Sequence, residues 1–340
     1  NTADARVGNP IPYENYASRD MSAKKLAGLF RKHVYRIARK GRPLFQSVET
    51  VAHPENRLLL KREVEQAEHL GETGDGKQIV LCRMDAAPCV MREIGRLREL
   101  TFRSVGEGTG LPRDIDRFDR DYLQLVLWDS NSLEIAGAYR LGRADELLAR
   151  KGWEGLYSYS LFEFGDGMRS YAEQGIELGR SFVQPRYQNR SSLDYLWYGI
   201  GAFVRKYPHY RYLFGPASIS ALYGDDGIAR IAHFYSSYYA NDTLDARART
   251  PLEVSESHRQ QLAAEFNGGD HDEDFKALRD SLAEKGMTVP TLYKHYAQAM
   301  QPGGVSFTAF NIDHEFADCV DSLVLADLHQ LKPKKRKRYL

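Results

Sequence analysis

Three cysteines in 340 residues, Cys82, Cys89 and Cys319, make an odd count with no C-x-x-C pair. That argues against a disulfide framework or a cysteine-built zinc site, and for a reducing compartment. Long apolar runs are missing as well. No stretch approaches the roughly 20 residues that span a bilayer, and the first residues do not read as a signal peptide. Neither sign of charge dominates: 47 Lys and Arg against 46 Asp and Glu leave a net +1, so no global field selects nucleic acid as a partner. The glycine-rich Gly106–Pro112 (GEGTGLP) lacks the Lys-Ser/Thr of a phosphate loop. The acidic Asp114–Tyr122 (DIDRFDRDY) lacks the glycine and terminal glutamate of a calcium hand. What remains is ordinary for a soluble globular protein, 27% charged and 42% hydrophobic, long enough for two domains or one large one. The chain starts at Asn1 and not at Met, which reads as a piece of something longer.

The early part divides into an extended Gly8–Tyr16 and two helices. Ser22–Arg39 predicts a basic amphipathic helix, with Leu26, Leu29, Phe30, Val34 and Ile37 as its apolar stripe. Such a helix suits either an anionic membrane surface or a neighbouring domain. His53–Leu70 predicts a second, charge-rich helix, and the loop Gly71–Lys77 (GETGDGK) is the expected boundary. Ile79–Met84 reads as a buried strand and Pro88 opens a helix in which Arg98 and Phe102 share a side. Gly106–Pro112 should then form a mobile loop. Tyr122–Trp128 and Glu134–Leu141 predict a hairpin turned at Asp129–Leu133. Further on, 246–286 looks like a charged, peripheral helical insertion, and of the apolar runs Val305–Ile312 and Cys319–Ala326 one is expected as a strand. Lys332–Leu340 carries six basic residues in nine, expected as a solvated tail or a lipid-surface contact.

The stretch Ile176–Gly201 changes period partway along. Ile176–Val183 fits a strand, Pro185 ends it, and Leu193, Leu196, Trp197, Ile200 and Val204 recur at helical spacing. The polar link Arg186–Ser192 (RYQNRSS) aims backbone N–H groups at one point, a site for a phosphate or a polar acyl linkage. Glu177 and Arg180 precede it at a spacing that puts them on opposite faces of a regular strand. Both reach one site only at a bulge or a sheet opening. Arg140 sits among apolar neighbours and needs a partner, for which Asp114, Asp116, Asp119 and Asp121 are the candidates. No Ser-His or Cys-His pairing stands out, and none of the ten histidines reads as catalytic.

Four of these features fall in one order: Arg98-x-x-x-Phe102, Asp116-x-x-Asp119, Gly137-x-x-Arg140-Leu141 and Glu177-x-x-Arg180. That order resembles the acyl-carrier-protein-dependent branch of the GNAT N-acyltransferase superfamily. The branch holds autoinducer (acyl-homoserine-lactone) synthases and the ornithine N-acyltransferases of ornithine-lipid synthesis. Glu177-Leu-Gly-Arg-Ser181, Leu196-Trp197-x-Gly199-Ile200 and Val289-Pro-x-Leu292 are more similar to the ornithine-lipid side. Residues 8–40 resemble the end of a lysophospholipid acyltransferase domain, so 1–75 is expected to be the tail of such a domain plus linker. Residues 76–340 would then form the N-acyltransferase. Together they would belong to a bifunctional ornithine-lipid synthase of the kind often labelled a haemolysin. The H-x-x-x-x-D motif of the O-acyl step is absent from this stretch.

The resemblance implies an α/β fold of the α+β kind, with a mixed, splayed central sheet flanked by helices. It implies transfer of a 3-hydroxyacyl group from an acyl-carrier protein to the α-amine of ornithine. Glu177 is the expected base, with Asp116 and Asp119 holding or organising charge. Arg98, Phe102, Arg140, Arg180 and Ser181 would bind substrate, and Arg186, Asn189, Arg190 and Ser191 would line the donor loop. No cofactor or metal is implied, because the donor's phosphopantetheine thioester is itself a substrate. The donor loop has no glycine, which favours a carrier protein over CoA and its pyrophosphate. The expected setting is cytoplasmic, peripheral at the inner membrane. The rivals are an autoinducer-type synthase using S-adenosylmethionine, and a non-catalytic module that only binds carrier protein or membrane.

Overall fold

The computed structural model describes residues 7–17, 21–188, 192–266 and 268–340. Among them ten strands form. These are β1 (Glu68–Glu72), β2 (Gln78–Arg83), β3 (Leu123–Asp129), β4 (Glu134–Arg143), β5 (Phe162–Phe164), β6 (Gly175–Val183), β7 (Tyr212–Ile219), β8 (Ala246–Ala248), β9 (Val305–Asp313) and β10 (Cys319–Asp327). Eight make one sheet in the order β1-β2-β3-β4-β6-β7-β10-β9, and β5 with β8 forms a small ribbon. Every neighbouring pair in the sheet is antiparallel except β6 and β7.

Period-2 alternation along β3 divides the core between two faces. Leu125 and Leu127 join Trp197, Ile200 and Phe203 of the helix Ser192–Lys206 on one side. Val126 and Trp128 join Val90, Ile94 and Leu97 of the helix Pro88–Arg103 on the other. The start of that second helix has no local cap. Glu63 supplies it from a neighbouring helix, accepting from the backbone N–H groups of Cys89 and Val90 at 3.1 and 2.8 Å.

Several expectations change here. The second early helix is only Arg57–Glu65, and the residues after Ala67 become β1. Of the loop expected at Gly71–Lys77, Gly71 and Glu72 end β1 and 73–77 turn the β1–β2 hairpin, so the chain enters the sheet before residue 76. Leu60 and Val64 already lie in the core under the helix Pro88–Arg103. Both late apolar runs are strands, each flanking the other. In 246–286, the helices Glu256–Glu265 and His271–Ala283 follow β8 and bury Leu262, Leu278 and Leu282 in the main core. On the basic helix, Ala23–Ala38, His33 takes the inward position expected of Val34. Its Nδ1 accepts from the N–H groups of Leu44 and Phe45, and Val34 is left exposed. The C-terminal tail is not free: Pro333–Tyr339 is helical and Tyr339 is buried against Trp197 and Tyr198.

Candidate active site

The sheet opens between β6 and β7. Their parallel ladder runs only from Gly175↔Tyr212 to Glu177↔Phe214. Gly215 follows with φ +151°, and a Cβ there would lie 2.0 Å from the Leu178 carbonyl oxygen. Only glycine passes at that distance, and Pro216 beyond it has no N–H for a ladder. On the other edge of β6 the register with β4 slips between Ala138 and Arg140. Arg180 lies in that bulge with φ +50°. The bulge turns the Arg180 side chain to the opening, which a regular strand would not do. A cavity of about 540 Å³ fills the gap, walled by Leu178–Ser181 and Gly215–Ser218.

Behind this cavity lies a chain of alternating charges. Arg98, fully buried, donates to Asp119 at 2.9 Å and to Gln124 at 2.8 Å. Asp119 accepts the Asp116 N–H, and Asp116 accepts the N–H of Phe118, a reciprocal cap for the short turn Arg117–Arg120. Arg140 donates to Asp116 at 2.6 Å and lies 3.7 Å from Asp119. Burial alone would raise the Asp119 carboxyl, but Arg98 and Arg140 outweigh it and hold it at about 2. Arg180 completes the chain, paired with Asp114 at 3.0 Å, with Asp116 at 3.7 Å, and with the Tyr157 hydroxyl at 3.0 Å. Its guanidinium lies between the rings of Tyr157 and Phe316, with centroid distances of 4.8 and 4.6 Å.

Of the eight described candidates ahead of the donor loop, Phe102, Arg180 and Ser181 line the cavity. Arg98, Asp116, Asp119 and Arg140 stand behind it. Glu177, the expected base, is enclosed elsewhere. It accepts from the Ser158 N–H and hydroxyl on one oxygen, and from the Tyr157 N–H and the Tyr122 hydroxyl on the other. A carboxylate has about four acceptor positions, and all four are taken by protein. Burial still pushes this carboxyl up. Arg186 is exposed and pairs with Glu134 at 2.8 Å, away from the cavity. Asn189, Arg190 and Ser191 lie outside the described residues.

Two acids face the cavity that the motif pattern passed over. Asp321, on β10, is 3% exposed and accepts from the Ser218 hydroxyl at 2.7 Å. Burial, with Asp313 nearby, pushes it up to about 7. Glu107, half-buried in the glycine loop, is pushed up to about 8 by burial and by Asp321. A signal for Asp321 was present: a charge inside the apolar run Cys319–Ala326 needs a reason to be there. The glycine loop is pinned and not loose. The Glu99 carboxylate accepts from Thr109 N–H, Thr109 hydroxyl and Gly110 N–H at 2.8–3.0 Å.

The acetyltransferase (GNAT) domain family matches residues 97–198, the segment that holds β3, β4 and β6. Similarity extends well past that segment. A glycine N(alpha)-acyltransferase of Bacteroides thetaiotaomicron is 33% identical over 308 residues, 86% of this chain and 90% of that protein. The chain belongs to this family of amide-forming GNAT acyltransferases. An L-ornithine N(alpha)-acyltransferase of Rhizobium meliloti is 28% identical over 175 residues, 50% of this chain and 57% of that protein. A solved CoA-dependent acyl-homoserine lactone synthase, MesI, is similar at 11% identity and TM-score 0.35, covering 76% of this chain and 91% of that one.

Proposed function

We propose that this acyltransferase moves a long acyl group from a thioester to the α-amine of a free amino acid. The observation that carries the reading is the cavity's charge pattern. One guanidinium, Arg180, faces the same space as two carboxyls, Asp321 and Glu107, and most of the other lining is apolar. An amino acid is a zwitterion and needs both signs. Its carboxylate suits Arg180, whose Nη2 lies 3.7 Å from Asp116, too long for a hydrogen bond. Its ammonium suits the acids. The thioester enters between β6 and β7, where the parted strands leave main-chain groups unpaired. The amine nitrogen then attacks the thioester carbonyl carbon, the C–N bond forms and the C–S bond breaks. Of the two protons the nitrogen loses, one ends on the leaving thiol and one in solvent.

Glycine is the first acceptor to test, because the relatives matched over most of this chain carry that activity in their names. Ornithine is the second reading, favoured by the pair of acids, one of which would suit its side-chain ammonium. For the donor, a carrier protein is supported by the absence of glycine in Arg186–Ser192. The product would be an amphiphile bound for a lipid surface. The helix Ala23–Ala38 fits such a surface: Val34 and Tyr35 are 62% and 54% exposed beside exposed Arg31, Lys32 and Arg36. The test supplies the purified protein with one acyl chain on carrier protein or on CoA. Glycine, ornithine or S-adenosylmethionine is offered as acceptor, and products are read by mass spectrometry. N-acyl glycine or N-acyl ornithine is expected. An acyl-homoserine lactone from S-adenosylmethionine, or thioester hydrolysis alone, would overturn the reading.

A further inference from the structure

We propose that Asp321 takes the proton from the attacking amine, and that Glu107, carried to the cavity by the glycine loop, passes it to solvent. This rests on the acyl-transfer reading above. The other acids near the cavity are committed. Glu177 has all four acceptor positions filled, Asp119 is held by Arg98, Asp116 by Arg140, and Asp114 by Arg180. Asp321 is different. Its Oδ1 is fixed by Ser218 at 2.7 Å, while among the described residues Oδ2 has only the Cys319 thiol, at 3.9 Å. One oxygen is thus oriented and the other is open.

Glu107 is placed with equal care. Gly106 (φ +75°) and Gly108 (φ +106°) bend the loop on either side of it. Glu99 holds the loop downstream, and the Ser220 hydroxyl holds the Val105 carbonyl upstream at 2.7 Å. Any Cβ at Gly106 would meet Leu222, a rim residue of the cavity, at 2.5 Å. The groups around Asp321 are Ser218 on β7, Asp313 on β9, Cys319 on its own strand, Arg180 on β6, Glu107 on the loop, and the hydroxyls of Tyr157 and Tyr293. Asp321 and Glu107 face one cavity, and burial pushes both up, Glu107 further by Asp321, so the pair retains a proton near neutral pH. In the step itself an ammonium N–H breaks and its proton goes to Asp321 Oδ2. The freed lone pair attacks the carbonyl, the proton moves to Glu107 and out, and the second nitrogen proton ends on the thiolate as C–S breaks.

The experiment measures kcat and KM against pH, with melting temperature, for wild type and three variants. Asp321→Asn should lower kcat by about 100-fold or more, the usual scale for a lost general base, leave thioester KM unchanged and erase the rising limb near pH 7. Glu107→Gln removes a like charge, so the limb should move to lower pH. Ser218→Ala removes a bond that favours the ionised form, so the limb should move to higher pH, and this variant decides the matter if Asp321→Asn does not fold. A merely structural Asp321 would lower melting and leave the limb in place. If wild type makes N-acyl amino acid while Asp321→Asn keeps its rate and profile, or the limb ignores Ser218→Ala, this inference fails alone. If wild type makes none, the acyl-transfer reading fails first.

Discussion

Replacing Glu177 by Gln tests what a fully hydrogen-bonded acid is for. In the wild type each carboxylate oxygen accepts one backbone N–H and one hydroxyl: Ser158 supplies both for one oxygen, Tyr157 and Tyr122 supply those for the other. The hydroxyls can rotate and accept. The backbone N–H groups cannot. Turned toward Ser158, the new NH2 leaves that buried N–H without an acceptor, at about 1–3 kcal/mol; turned toward Tyr157, it faces an N–H that still donates to the Tyr122 hydroxyl at 2.9 Å, which favours this second orientation. The weakened bonds to a formerly charged group cost about 1–2 kcal/mol either way. A loss of roughly 1–3 kcal/mol should lower the melting temperature by a few degrees. Chemistry should survive, because no acceptor position of Glu177 faces the cavity. The assay is N-acylation well below the melting point, with its pH profile, beside urea or thermal unfolding. We expect kcat within about tenfold of wild type and an unmoved pH limb. Wild-type melting with a 100-fold loss of rate would refute this and return Glu177 to the role of base.

Three further outcomes follow from other parts of the molecule. Asp119 has a folded value near 2, below the ~3.9 of a free aspartate, so its contribution is whole above about pH 4 and is lost as pH falls through 2. Asp119→Asn should therefore cost about 3–5 kcal/mol at pH 7, with the gap to wild type closing in acid, read by urea melts across pH. Tyr339→Ala, which empties the space beside Trp197 and Tyr198, should destabilise by about 3–5 kcal/mol, whereas Lys334→Ser and Lys337→Ser should leave unfolding unchanged. Val34→Ser with Tyr35→Ser should weaken binding to anionic vesicles at low salt without shifting the melting temperature; unchanged sedimentation with vesicles would count against the membrane face.

The strands were legible where the hydrophobic pattern was strict. Ile79–Met84, the Asp129 hairpin and Ile176–Val183 all form, in one sheet. The odd spacing of Glu177 and Arg180 allowed a shared site only at a bulge or opening; the bulge turns Arg180 to the cavity, while Glu177 stays enclosed. Three things were not legible, for physical reasons. A sequence does not show how many donors meet a carboxylate, and the four around Glu177 come together only in the fold. Asp321 comes from the far end of the chain, and its place beside Arg180 depends on long-range pairing of β10 with β7. The basic tail hides one tyrosine that decides its fate, since Tyr339 anchors what the lysines alone would leave in water.

Because a Cβ at Gly215 would lie 2.0 Å from the Leu178 carbonyl oxygen, the crossing of β7 over β6 is a contact of main chain and not of side chains. The spacing of the strands there is set by their twist, and a substitution at Gly215 could change it only by moving them. Selection among donors must lie deeper or further out, where Met287, Leu292 and Leu222 line the walls. An engineer seeking a shorter or longer acyl product has a free hand at those positions. On the acyl-transfer reading, such changes would alter how much acyl tail fits while leaving the strand crossing as it is.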